Sequence, residues 1–178
     1  CAYASVAMSH REPERNNFTD NGSYPAPVPE MLLDYELGYN YNGNIWQAGA
    51  NLYYMDYTNQ FVQTGAVSDI GEALTTNIKD SYRMGMELQA GANATKWLTI
   101  EANAALSQNK IKDVDEVAEN WDDWEGNTDA QGNAYDGDGY DVIHYDNSTL
   151  AFSPSAILNG FITFHHTGFE AVWHTNYV

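Results

Sequence analysis

Residues 33–57 read LDYELGYNYNGNIWQAGANLYYMDY. Two period-two runs flank the tripeptide Asn42-Gly43-Asn44. In the first run Leu33, Tyr35, Leu37, Tyr39 and Tyr41 alternate with Asp34, Glu36, Gly38 and Asn40. In the second, Trp46, Ala48, Ala50, Leu52 and Tyr54 alternate with Gln47, Gly49, Asn51 and Tyr53. Successive strand side chains point to opposite faces, so each run is a strand with one apolar and one polar face. Asn-Gly accepts the positive φ angles of a tight hairpin. The stretch therefore predicts two antiparallel strands.

The same alternation recurs along the chain. Tyr82, Met84, Met86, Leu88, Ala90 and Ala92 oppose Arg83, Gly85, Glu87, Gln89 and Gly91; Leu98, Ile100, Ala102, Ala104 and Leu106 oppose Thr99, Glu101, Asn103 and Ala105. Seven strands are predicted, at about 2–11, 33–41, 45–57, 81–92, 97–110, 149–165 and 169–178. Tight turns at 42–44, 93–96 and 166–168 alternate strictly with long connections at 12–32, 58–80 and 111–148. In an up-and-down meander every long connection then falls at one end of the sheet.

Alternation alone does not separate a soluble sandwich from a membrane barrel. Here the strands are long enough to cross a bilayer at a tilt. Aromatic rings flank the apolar faces, with Tyr41, Trp46 and Trp97 near the tight turns and Tyr54, Tyr57 and Tyr82 near the long connections. The apolar face is also rich in alanine, a poor filler for a packed core. These features predict an all-β, antiparallel, up-and-down transmembrane barrel, polar inside and apolar outside. About seven strands with open edges do not close in lipid, so the chain is expected to be part of a larger barrel. Its opening in strand-like AYASVAMS after Cys1 reads the same way, although a lipid-modified first cysteine is the other reading.

Composition narrows the partners. The 178 residues hold 25 Asp+Glu against 7 Lys+Arg, a formal net charge of -18, which lacks the basic footprint that nucleic acid requires. Twelve of those acids lie between Asp113 and Asp146. The single cysteine excludes an internal disulfide framework. No GxSxG elbow, phosphate-cradling glycine loop or paired zinc motif occurs, so no enzyme is expected.

Three stretches carry a family resemblance: SHREPERNNFTDNG, then PVPEMLLDYELGYNYNGNIWQAGANLYYMDYTNQFVQTG, then NIKDSYRMGMELQAGANATKWLTIEANAALSQNKI. They resemble the C-terminal half of the barrel of TonB-dependent outer-membrane receptors, of the kind common in Bacteroidetes. The span from Pro29 to Tyr57 is the most specific part. The resemblance implies a plugged barrel across residues 1–178 in the Gram-negative outer membrane, with long loops extracellular and tight turns periplasmic. It implies binding of a scarce ligand (ferric siderophore, haem, cobalamin or oligosaccharide) and import driven through TonB. The implied partners are outer-membrane lipid, the receptor's own plug, the TonB complex and a surface lipoprotein. The plug and the terminal strand of such receptors have no counterpart here. Other readings are a passive porin, an adhesin, a membrane-embedded hydrolase or a soluble calcium-dependent carbohydrate-binding domain.

Candidate site residues concentrate in the acidic connection 111–148. Trp121, Trp124, Tyr135 and Tyr140 are aromatics on a polar loop, suited to ligand contact or to packing on neighbouring loops. Asp129, Asp136, Asp138 and Asp141 are weak calcium candidates, because NTDAQGNAYDGD matches a calcium loop poorly; a hydrated acidic loop is the plainer reading. No other cofactor is expected. Arg83 falls on the polar face, where it would meet an anionic ligand or plug carboxylate, or pair with Glu36 or Glu87. Arg11 and Arg15 suit structural ion pairs. His165 and His166, adjacent in a strand, point to opposite faces and do not readily share an ion.

Overall fold

A computed structural model describes residues 1–19, 25–67, 71, 73–119 and 140–178. Its elements are β1 (Ala2–Arg11), α1 (Arg15–Thr19), β2 (Glu30–Asn42), β3 (Trp46–Val67), β4 (Ala73–Thr95), β5 (Leu98–Glu119), β6 (Tyr140–Thr149), β7 (Ala156–His166) and β8 (Phe169–Tyr177). All strands join one antiparallel sheet in the order β1-β2-β3-β4-β5-β7-β8, with β6 also paired to β5. Consecutive strands are neighbours except β6 and β7, which both pair with β5, so the sheet is the up-and-down meander expected from the alternating connections.

The register confirms the two faces. Leu37, Leu52, Met86, Leu106 and Ala156 form one row across five strands, while Gly38, Asn51, Glu87, Ala105 and Ile157 form the adjacent row of opposite orientation. With Ile157 and Phe161 as exceptions on the opposite face, pairing apolar with apolar in every hairpin puts most of the hydrophobic set on one side. That side stays uncovered: Leu37 is 57% exposed, Leu52 48% and Trp173 71%. Among the described residues only Ile78, Ile111 and Leu150 are buried hydrophobics. A water-soluble domain could not leave so much apolar surface exposed, whereas a bilayer covers it.

Aromatic side chains bound this apolar band at both ends. Tyr41 stacks on Trp46 with ring centroids 4.1 Å apart, and Trp97 lies 5.4 Å from Phe164. At the other end Tyr35, Tyr54 and Tyr82 form a continuous row, with centroid spacings of 6.4 and 6.1 Å. From Trp46 to Tyr54 the strand rises about 26 Å at ~3.3 Å per residue, the scale of a hydrocarbon layer. Tyr57 does not belong to this girdle. It occupies the register row of Leu32 and Ser81, and its ring meets Arg83, so it lies on the polar face.

Three further expectations change. First, the connection 58–80 is mostly strand, since β3 and β4 continue to pair from Gln60 and Ile78 up to Val67 and Ala73. Asn59 adopts a left-handed conformation (φ 56°), and beyond it Gln60 accepts a 2.5 Å hydrogen bond from Ser81 Oγ. The alternation seen below therefore does not continue in step, which hides the strand from a period-two reading. Second, β5 runs to Glu119 and pairs with β6, so the acidic connection 111–148 begins and ends as ladder. Third, the strand expected at 149–165 is interrupted. β6 pairs with the upper part of β5 and β7 with the lower part, along the same edge. The intervening segment holds Pro154 and a left-handed Phe152 (φ 57°), and is pinned by Leu150 N–H to Asn109 O (3.1 Å) and Ser107 N–H to Ser155 O (2.9 Å).

The tight turns fall at the end marked by Trp46 and Trp97. Thr167 (φ 36°) and Gly168 (φ 82°) make a two-residue link from β7 to β8, both with positive φ as strand twist demands. Gly43 N–H donates to Trp46 O at 2.9 Å to close β2–β3. The β4–β5 turn lies at Lys96-Trp97 rather than 93–96, because β4 absorbs Asn93 to Thr95 with a register shift.

Candidate functional site

The polar face carries the groups able to recognise a solute. Its most regular feature is one cross-strand row containing Asn40, Gly49, Gln89, Asn103, Asn159 and Asn176. Asn176 Nδ2 donates to Asn159 Oδ1, and Asn159 Nδ2 donates to Asn103 Oδ1, each at 2.9 Å. A carboxamide both donates and accepts, so such a ladder satisfies itself while leaving further N–H and C=O groups facing outward. Two adjoining hollows of about 430 and 370 Å³ share Asn40, Gln89 and Asn103 as lining. Another hollow, about 670 Å³, includes Tyr39, Trp46, Leu88 and Leu158 around a floor of alanines on the apolar face. In a bilayer that space belongs to lipid, so it is not the solute site.

Tyrosines lie flat against the polar wall. Tyr3 covers Gly38, where an added Cβ would overlap the ring, and its hydroxyl donates to Asn51 Oδ1 at 3.0 Å. Tyr53 covers Gly85 in the same way. Glycine here leaves room for a neighbouring ring to fold down onto the backbone. Lower on this face Phe161 stacks on His174, centroids 4.3 Å apart and ring planes nearly parallel.

Towards the extended hairpins the row Asp34, Met55, Arg83, Asn109 crosses β2 to β5. The Arg83 guanidinium sits over the Tyr57 ring at 5.7 Å from its centroid. Arg83 forms no ion pair with Glu36 or Glu87, contrary to expectation. Glu87 is four residues along the same strand, about 13 Å away at ~3.3 Å per residue, and Glu36 is two strands across with Tyr53 between. Arg11 does pair, with Glu14 at 3.7 Å, and also covers Phe61. His165 binds Glu170 at 3.0 Å while His166 lies beside Phe164, 6.3 Å between ring centroids.

Trp121, Trp124, Asp129, Tyr135, Asp136 and Asp138 lie outside the described residues. Tyr140 and Asp141 open β6, and their side chains also lie outside them. Among the described residues no group of three or more His, Cys, Asp and Glu side chains could hold a metal ion. The carboxamide ladder and the Arg83–Tyr57 stack are additions from the structure. A sequence signal for the first existed, since Asn or Gln recurs at polar positions of successive strands, but only the register aligns them.

The family model described as TonB dependent receptor-like, beta-barrel matches residues 1–178. The chain belongs to that family. Receptors of this family reside in the outer membrane, which accounts for the uncovered apolar face and makes the polar face a lumenal wall. Among solved structures this barrel resembles the copper transporter OprC, with 20% identity, a TM-score of 0.65 and coverage of 97% of this chain. It also resembles the FrpB iron transporter from Neisseria meningitidis, with 12% identity, a TM-score of 0.46 and 92% coverage. It spans 23% of the first of those chains and 30% of the second. At 20% identity the likeness to OprC concerns the fold alone. No curated protein matches the sequence.

Proposed function

We propose that this chain forms part of the barrel wall of an outer-membrane TonB-dependent transporter, which captures a scarce ligand outside the cell and admits it past a plug. The observation that carries this reading is the two-faced sheet: an aromatic-bounded lipid face backed by a lumenal wall of carboxamides, carboxylates and tyrosines. The plug and TonB are the partners implied by the family, with outer-membrane lipid around the band. The connection 111–148 is the extracellular loop in this scheme, and Trp121, Trp124, Tyr135 and Tyr140 contact the ligand there, with Arg83 below them. Calcium on Asp129, Asp136, Asp138 and Asp141 would screen the dense acid of that segment. A mouth so acidic disfavours anionic ligands at long range and suits neutral or cationic ones.

The test uses the intact receptor in cells with and without TonB, offered a panel of ferric siderophore, haem, cobalamin and oligosaccharide. Uptake of one panel member should require TonB. Deleting residues 120–139 should leave surface expression near normal and lower that uptake about tenfold or more, the scale of losing one or two aromatic contacts. Uptake that persists without TonB would instead make the barrel a passive pore.

A further inference from the structure

Two polar atoms among the described residues are buried without a hydrogen-bond partner, Asp34 Oδ1 and Arg83 Nε. Both belong to one lumenal row, separated by Met55 on the intervening strand. Buried polar atoms in native proteins are almost always paired, and charged ones are costly to leave alone. These two do not satisfy each other, since they are two strands apart, about 10 Å at backbone level at ~4.8 Å per strand. Met55 does not bridge them either; its sulfur accepts from the Tyr57 hydroxyl at 3.8 Å.

The surroundings hold Arg83 ready. Its guanidinium lies over the Tyr57 ring, 5.7 Å from the centroid, a cation–π contact that uses none of its N–H donors. The Nε–Nη edge of arginine is the one that takes a carboxylate with two parallel hydrogen bonds. Four carboxylates, Asp34, Glu36, Glu87 and Glu101, share the face of Arg83 in the register. Arg83 is thus a preoriented cation in an acidic lumen, with its nearest register neighbours Met55 and Asn109 uncharged.

We infer that Arg83, beside the Tyr57 ring, binds a carboxylate presented from the lumen, and that Asp34 accepts a hydrogen bond from a donor elsewhere on the same bound group. This rests on reading the polar face as the lumen. The carboxylate has two sources with the same chemistry, an acidic side chain of the receptor's plug or a carboxylate-bearing solute.

Zero-length coupling separates them. In the intact receptor carrying Arg83→Lys, a carbodiimide joins the introduced amine to any carboxylate in contact, and peptide mass spectrometry identifies the partner. Coupling to a residue of the plug assigns the carboxylate to the receptor itself. Coupling to added citrate, with no protein partner in its absence, assigns it to a solute. Adding Asp34→Ala, which removes the acceptor, should lower either product severalfold through loss of the second pole. Coupling only to Asp34, Glu30, Glu36 or Glu87 of the wall, or no coupling at all, overturns the inference. A separate arm checks the underlying reading: a membrane-impermeant amine reagent should label the introduced amine in the uncoupled receptor, and labelling only by a lipid-soluble reagent would show that position 83 faces the bilayer.

Discussion

Glycine and tyrosine share the lumenal wall by a division of space that operates residue by residue. At Gly38 the missing side chain is the room into which Tyr3 folds, and the Tyr3 hydroxyl reaches Asn51 across two strands. A valine at position 38 would expel the ring and strand its hydroxyl. Gly38→Val should therefore destabilise the intact receptor by about 1–3 kcal/mol, the range for overpacking. Tyr3→Phe, which keeps the ring and removes one hydrogen bond, should cost about 1 kcal/mol or less. Heat-modifiability on gels, scored as the midpoint temperature of barrel unfolding, reads both; equal midpoints for the two variants would mean that the ring does not lie on Gly38. This packing is only half legible in the sequence. Alternation places Gly38 on the polar face, but Tyr3 reaches it through the β1–β2 register, which a sequence without the intervening loop geometry does not fix. Tyr57 marks the opposite limit: nearness to the strand ends groups it with Tyr54 and Tyr82, yet an odd step along the strand puts it inside.

At the scale of elements, the period-two pattern is legible wherever a strand crosses the apolar band. There one face must be uniformly apolar, so the sequence has little freedom. Above the band both faces meet water or loops, the constraint lapses, and the strand pairs of Gln60 with Ile78 or Asp113 with Asp146 look like loop. Within the band the two faces predict unequal responses to one substitution made at neighbouring positions. Leu88 lies mid-band on the lipid face, in the row of Ala50 and Ala104, and Gln89 follows it on the lumenal face. Leu88→Lys should cost about 2–4 kcal/mol, the value for a base near the bilayer midplane. Gln89→Lys should stay within roughly 1 kcal/mol, because its ammonium enters a polar lumen containing Glu87 and Glu101. Urea titrations of the receptor folded into lipid vesicles give the two numbers, and a larger penalty at Gln89 would reverse the assignment of faces.

On the scale of the whole molecule the governing constraint is that lipid offers no hydrogen-bond partner to a strand edge. β1 and β8 are the outer strands of this sheet, and across the apolar band one side of each carries N–H and C=O groups with no partner among the described residues. In water such edges are solvated; in hydrocarbon each unpaired group costs several kcal/mol, so the wall is stable only when both edges are covered. The chain spans 23% of the OprC chain whose fold it shares, which leaves ample sequence in a receptor of that size to supply the covering strands. Closure has a measurable consequence in the intact receptor. Amides of Ala4 and Val6 on β1, and of Val172 and His174 on β8, should exchange with deuterium as slowly as those of Leu52 and Met86 at the centre of the sheet, because every one of them would sit in a closed ladder within the band. Exchange at the β1 and β8 positions a hundredfold faster than at the centre would mean that these edges are open to water, and a continuous lipid-embedded barrel would then be the wrong architecture for this wall.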